Sequence, residues 1–289
     1  CVMNSPYTTS QEKNSRESTP LYGIFVNRFA YEIPFCVWIM PQRWFVTGKG
    51  LDDFRSEFKQ RTDIVSINSY MDSKAVFGNH VDIKGGVAIF VRDASYTGEC
   101  NFDGTMVNLS VSDIVLSPRD YHMYVAGKDA CSKHGSIDQL FMGRYYGIET
   151  NEPRLLAGPT NSSIPCYVSL KQSKTRKMYI ENDESIAQKD RFWKVFTPTA
   201  FEKAHSGFGP LNIGKPNELH SASYVSFRVK HYAEALSLQS YLRTKYANAM
   251  LSIRKVSQTI SKDTLKWIPM VPLDRIWDDD LVKNYLDVV

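Results

Sequence analysis

Six apolar residues, Phe35-Cys36-Val37-Trp38-Ile39-Met40, run without interruption between Pro34 and Pro41. The run is far too short for a bilayer, which needs about 18–20 apolar residues, and Pro41 and Arg43 follow it at once. No other stretch comes closer, so membrane insertion is not expected. Apolar on every side chain and bounded by prolines, the segment reads as a strand buried on both faces of a sheet.

Its neighbours set that strand in an alternating pattern. Leu21, Tyr22, Ile24, Phe25, Phe29 and Ala30 form a helical stripe from Pro20 to Tyr31, which Pro34 stops. An amphipathic stretch covers Leu51 to Phe58, and Ile64 to Ile67 is a further strand. Gly85-Gly86 opens Val87 to Val91, a hairpin partner or neighbour of that strand. Helix, strand, helix, strand, strand is an α/β order, with the sheet expected to finish near Arg92. From about Tyr96 the apolar clusters shorten and are broken by Gly104, Pro118, Gly127, Gly135 and Pro153. Helical spacing returns from Tyr232 to Ile253. Two domains are expected, 1–96 and 97–289, the first α/β and the second mixed α+β. The polar stretch Thr8 to Thr19 is expected to be a loop that orders over a substrate. Asp278-Asp279-Asp280 lacks further metal-ligand partners and reads as the acidic first turn of a final helix.

The 289 residues include five cysteines, spread widely and without a C-x-x-C pair, which argues against a disulfide framework or a zinc site and fits a reducing cytoplasm. The first residue is Cys1 and no basic-then-apolar leader follows, so the sequence reads as part of a longer chain. Charge is unevenly distributed: residues 171–255 carry 15 basic and 7 acidic side chains. Either this is a solvated basic face, or it meets a polyanion whose counterions are released on binding. The candidates for phosphate contact are Lys171, Lys174, Arg176 and Lys177, then Lys194 beside Trp193, then Arg243, Lys245, Arg254 and Lys255.

Asn4-Ser5-Pro6-Tyr7 follows the apolar Val2 and Met3. One reading is a side-chain turn that ends a strand. The other is a holder for an exocyclic amine. The Asn4 oxygen and a backbone carbonyl can each accept one hydrogen, Pro6 fixes the direction of that carbonyl, and the Tyr7 ring can stack on the base. Arg43-Trp44, after the apolar strand, supplies a guanidinium for phosphate and an indole for stacking at the same mouth, or else a packed core edge.

These segments occur in a recognisable series. Asn4-Ser5-Pro6-Tyr7, Leu21-Tyr22-x-x-Phe25, Ile39-Met40-Pro41-x-Arg43-Trp44-Phe45 and Gly48-x-Gly50-Leu51-x-x-Phe54-Arg55 come first. Asp72-Ser73-x-x-Val76-Phe77 and Val81-x-Ile83-x-Gly85-Gly86-Val87 follow. At the far end stand Ser240-Tyr241-Leu242-x-Thr244-Lys245, Arg254-Lys255-Val256-Ser257-Gln258, Trp267-Ile268-Pro269-x-Val271-Pro272 and Trp277-x-Asp279-x-x-Leu281. In order and spacing the chain resembles the C-terminal part of the catalytic domain, with the target-recognition domain, of N6-adenine DNA methyltransferases from bacterial restriction–modification systems, including nuclease-fused forms. The resemblance implies the C-terminal half of a Rossmann-like methyltransferase sheet, double-stranded DNA as partner and S-adenosylmethionine as methyl donor. It also implies base flipping, with Asn4, Ser5, Pro6 and Tyr7 around the adenine. Ser5 stands where the family usually has proline. The family's Gly-rich cofactor turn has no counterpart here, since neither Gly48-Lys49-Gly50 nor Gly207-Phe208-Gly209 follows a strand and opens a helix. A missing N-terminal segment or a partner chain is therefore expected to carry the cofactor site, and with it a nuclease. The competing expectation is a DNA-binding specificity module without catalysis.

Overall fold

The computed structural model describes residues 1–7, 20–46, 50–79, 81, 83, 85–169, 174–202, 206–255 and 257–287. The expected loop from Thr8 to Thr19 lies outside them, as do Lys171 and Gly48. The chain forms two compact units, Cys1–His122 and Met123–Val289, whereas the expected division lay after residue 96. Among the described residues no helix is long and apolar enough to cross a membrane.

The first unit is α/β. Strand β1 (Val2–Asn4) is followed by α1 (Tyr22–Phe25), which widens into a π-helical turn over Val26–Ala30. Next come β2 (Phe35–Pro41), α2 (Asp52–Lys59), β3 (Ile64–Tyr70), a short α3 (Lys74–Phe77) and β4 (Val87–Asp93). The sheet runs on past Arg92, contrary to expectation, through β5 (Cys100–Phe102) and β6 (Thr105–Val107). Strand order is β1-β2-β4-β3-β5-β6. β1 and β2 are parallel, with Asn4 opposite Ile39, whereas β4 is antiparallel to both β2 and β3.

The apolar run at β2 belongs to this sheet because its side chains complete an aromatic core, but it is not buried on both faces as expected: Cys36, Trp38 and Met40 are buried, while Val37 and Ile39 are only partly covered and Phe35 is exposed. Trp38 stacks on Phe90 of β4 with ring centroids 5.3 Å apart. α2 contributes Phe54 and Phe58, whose four-residue spacing puts both on the buried face. Trp44 meets Phe45, Phe54 and Phe58 at 4.8 to 5.0 Å.

In the second unit α4 (Pro118–His134), in which the division falls, leads to β7 (Phe141–Gly143), β8 (Leu155–Leu156), β9 (Ser163–Ser169) and β10 (Thr175–Glu181). Then follow α5 (Glu184–Ala187), β11 (Trp193–Pro198), β12 (Asn212–Gly214), β13 (Leu219–His220) and β14 (Tyr224–Val229). Two four-stranded sheets result, ordered β13-β9-β10-β8 and β12-β11-β14-β7. Phe196 of β11 joins them, lying 5.2 Å from Tyr167 and 5.9 Å from His220, ring to ring.

The helical period from Tyr232 to Ile253 is two helices, not one: α6 (Tyr232–Arg243) and α7 (Lys245–Arg254). Thr244 separates them because it takes an extended backbone, and its hydroxyl accepts from the Ala247 N–H as the N-cap of α7. α8 (Lys262–Leu265) and α9 (Asp279–Leu286) close the unit. Asp278 caps α9 and Asp279 and Asp280 occupy its first turn, as the acidic triplet led us to expect.

Candidate base pocket and basic surfaces

Parallel strands place their carboxyl ends on one edge of a sheet, and in α/β folds that edge is where ligands bind. In the first unit, β1 ends at Asn4 and β2 at Pro41, so the loops Ser5–Tyr7 and Gln42–Phe45 leave the sheet at the same end. The antiparallel β4 begins there, with Val87 opposite Pro41 and Tyr70. This topology gathers Asn4, Tyr7, Arg43, Tyr70 and Gly85-Gly86.

Asn4 and Pro6 are exposed, whereas Ser5 is buried and its hydroxyl has no hydrogen-bond partner among the described residues. Tyr7 is half-buried. Its ring meets the ring of Tyr22 edge-on, and its carbonyl accepts from the Leu21 N–H at 3.2 Å. The start of α1 thereby supports the motif from behind. Burial raises the phenol of Tyr7 and pushes that of Tyr22 up to about 12, with the Arg43 guanidinium opposing the second shift. Both rings are therefore neutral near pH 7, and Arg43 lies close enough to Tyr22 to act on it.

Beneath Arg43 sits a support that the sequence did not single out. The buried Gln42 donates from Nε2 to Met71 Sδ at 3.0 Å and accepts from Ser69 Oγ at 2.6 Å. Gly86 must be glycine: it has a φ of +77°, and a Cβ there would lie 2.4 Å from the Tyr70 carbonyl and 2.6 Å from Gln42 Nε2. Ser73 ties the loop before it, accepting from the Ile83 N–H and donating to the Val81 carbonyl. The Gly-Gly pair was legible as a strand entry, while the polar support became visible only with the strands in register.

Four expected contact residues are corrected. Trp44 is fully buried in the aromatic core and is no stacking platform. Lys194 is 1% exposed, and its Nζ donates to the carbonyls of Lys215 and Glu218, both at 2.7 Å. Burial pushes its ammonium down to about 7, against the pull of the Glu218 carboxylate. Lys255 is wholly buried and donates to the Phe201 carbonyl at 2.9 Å and to Ser206 Oγ at 2.5 Å. The Arg254 guanidinium binds Asp263 through its carbonyl and carboxylate and lies 4.4 Å above the Trp267 ring. These three cations of the basic segment hold loops and helix ends together inside the fold.

The other candidates are at the surface. Lys174 precedes β10, while Arg176 and Lys177 lie on it, opposite Val168 and Tyr167 of β9; all three are exposed. Arg243 and Lys245 flank the break between α6 and α7, exposed as well, and the Lys245 N–H donates to Asp279 Oδ1 at 2.6 Å. Among the described residues no group of three or more His, Cys, Asp or Glu side chains is placed to hold a metal ion.

No family model and no curated protein matches the chain. Solved structures do. The type IIL restriction-modification enzyme MmeI in complex with DNA aligns with 92% of this chain and 45% of its own, at 9% identity and a TM-score of 0.42. The type IIG restriction endonuclease BpuSI aligns with 95% of this chain and 44% of its own, at 11% identity and a TM-score of 0.39. A type I R-M system structure aligns with 46% of this chain and 30% of its own, at 11% identity and a TM-score of 0.26. The chain spans less than half the length of each of these structures.

Proposed function

We propose that this chain is the base-holding and DNA-recognition part of a DNA adenine-N6 methyltransferase belonging to a restriction–modification enzyme. The observation that carries the reading is the position of Asn4–Tyr7. The motif sits at the carboxyl end of a parallel strand pair, with Tyr7 backed by Tyr22 and with Arg43 on the same edge.

The chemistry asked of these residues is positioning. An adenine stacked and paired in a duplex cannot bring its N6 into an active site, so the nucleotide is flipped out and read by its Watson–Crick edge. Asn4 Oδ1 and the Ser5 carbonyl accept the two N6 hydrogens, which directs the nitrogen lone pair away from the ring plane. Tyr7 stacks on the base, and Arg43 meets a backbone phosphate. No protein nucleophile is needed, because orienting the amine and excluding water supply the rate enhancement.

S-adenosylmethionine would supply the methyl group. The one described G-x-G spacing, Gly207 to Gly209, lies in the loop before β12 and opens no helix, so it does not fit a cofactor cradle. The seat of the methyl donor is assigned to a segment or partner chain beyond these residues, which in nuclease-fused relatives of the resembled family would also carry the nuclease. A second reading is favoured by Ser5: with a buried, unpartnered hydroxyl where the family has proline, the loop serves a DNA-specificity module without catalysis.

Transfer of tritiated methyl groups to plasmid DNA separates the two readings, measured with this chain alone and with the upstream part of its gene restored. Incorporation on restoration is expected. DNA binding without incorporation in either form would select the second reading, and Ser5→Pro then tests whether the serine is responsible.

A further inference from the structure

In the second unit the turn between β12 and β13, Lys215-Pro216-Asn217-Glu218, is fastened from beneath by a buried cation. Lys194 Nζ donates to the first and last carbonyls of the turn at 2.7 Å each, and lies 5.6 and 5.4 Å from the ring centroids of Tyr146 and Phe192. The same turn is tied within itself. The Glu218 N–H donates to the Lys215 carbonyl at 3.0 Å, and the Lys215 N–H donates to Glu218 Oε2 at 3.0 Å. The other carboxylate oxygen, Oε1, accepts from the Tyr167 hydroxyl at 3.2 Å. The acidic side chain of the turn is thus engaged within the fold, while the side chains of Lys215 and Asn217 are exposed.

Two guanidinium groups complete the rim. Arg191 donates to the amide oxygens of Asn217 and Asn182, both neutral acceptors that do not compensate its charge among the described residues. Arg228 lies 5.2 Å over the Phe192 ring, and its carboxylate neighbour, Asp190, is 3.7 Å away with both side chains more than half exposed. An exposed pair of that kind contributes little and exchanges readily for another anion. Burying an ammonium is costly, and a methionine of similar length would fill the space without that cost. What the ammonium adds is a hold on two carbonyls, which stops the turn from splaying.

We propose that Lys215, Asn217, Arg191 and Arg228 form a preformed docking rim for the sugar–phosphate backbone of duplex DNA, with Lys194 as the positioning residue that fixes its turn. Guanidinium and amide groups held in place by neighbours suit phosphate oxygens, and such contacts set the register of a protein on its duplex. The proposal rests on the DNA-binding reading above and adds a contact surface to it.

The test is duplex DNA binding by the full-length protein over a range of salt concentrations, for wild type, R191A/K215A, K194M and the triple variant. R191A/K215A is expected to flatten the slope of log K against log salt by about 2 units, near 0.9 for each phosphate no longer neutralised. K194M keeps every surface charge, yet is expected to weaken binding by on the order of tenfold, and to lose most of that effect in the R191A/K215A background because it acts through the rim. Wild-type affinity and slope in R191A/K215A would overturn the proposal and leave the DNA-binding reading standing. Wild-type protein that binds no DNA would remove that reading and the rim with it. Should K194M fail to fold, R191A/K215A, which alters surface side chains only, decides the outcome alone.

Discussion

The ring of Tyr7 meets that of Tyr22 edge-on, with centroids 6.5 Å apart and planes at 86°. Tyr22 is buried in α1 and Tyr7 is half-buried at the carboxyl edge of the sheet, so a core residue sets the plane of the Tyr7 ring. Tyr7→Ala is expected to slow methyl transfer by the full-length enzyme about 5- to 150-fold, corresponding to roughly 1–3 kcal/mol of base stacking. Tyr22→Leu removes only the edge contact, about 0.5–1.5 kcal/mol, and is expected to cost tenfold or less. Single-turnover rates on plasmid DNA make the comparison; equal rates in Tyr7→Ala and wild type would remove Tyr7 from the pocket.

Gly86→Ala is expected to destabilise the first unit by on the order of 2–4 kcal/mol, through a strained backbone at φ +77° and a collision with the Tyr70 carbonyl. Denaturant midpoints measure it. A shift below about 0.5 kcal/mol would mean that the Gln42–Met71 support is looser than described.

Buried bases give the second unit a pH-dependent stability, Lys194 and His220 most strongly. Burial lowers Lys194 from 10.5 to about 7, with Glu218 opposing. Burial also lowers His220 from 6.5 to about 4, with its bond to the Ser221 carbonyl opposing and Lys194 assisting. In both cases the unfolded chain binds a proton that the folded chain resists, so stability is lost as the pH falls. The Lys194 share is complete above 10.5 and disappears as the pH falls to about 7. The His220 share is complete above 6.5 and disappears by about 4. Each contributes a slope of up to about 1.4 kcal/mol per pH unit within its window. Lys194→Met should reduce the slope of the upper window, which Lys255, lowered by burial to about 8 against the pull of Glu202, shares, and His220→Phe should flatten the lower one, as read from unfolding free energies across pH; unchanged curves would contradict both assignments.

Only exposed cations of the basic segment are expected to govern salt dependence. Replacing Lys174, Arg176 and Lys177 by alanine should reduce the slope of log K against log salt by about 0.9 for each phosphate they neutralise, with stability within about 0.5 kcal/mol of wild type. Lys255→Ala should do the opposite, since it removes the ammonium that donates to the Phe201 and Gly207 carbonyls and to the Ser206 hydroxyl. The expected cost is about 1–3 kcal/mol of stability for each buried acceptor left unsatisfied, with no change of slope in the protein that remains folded.

Those lysines mark where the sequence stopped being legible. β2, β4, α2 and the acidic start of α9 were readable because short-range pattern decides them: an apolar run between prolines, a Gly-Gly entry, a four-residue aromatic spacing, an N-cap. The break at Thr244 was missed because an apolar stripe passes through it unchanged while a single hydroxyl cap turns the backbone. Lys194 and Lys255 read as surface charge because their acceptors lie 21 to 54 residues away, in loops with no apolar signature. Trp44 was left between the mouth and a packed core edge, with the core edge the commoner place for a tryptophan, and three phenylalanines from two later or adjoining segments decided it. The Asn4–Tyr7 motif was legible by type. Its support from Tyr22, and the edge it shares with Arg43, depend on the parallel pairing of β1 with β2.

The central claim is that Asn4 holds a flipped adenine by its N6 amine. It is tested most directly by mapping N6-methyladenine in plasmid DNA from cells that express the full-length protein, beside cells that express Asn4→Ala. The account predicts methylated adenines confined to one sequence context with wild type and none with Asn4→Ala, the two proteins being equally abundant and equally able to bind DNA. Absence of N6-methyladenine with the wild-type protein, or an unchanged pattern with Asn4→Ala, would contradict it.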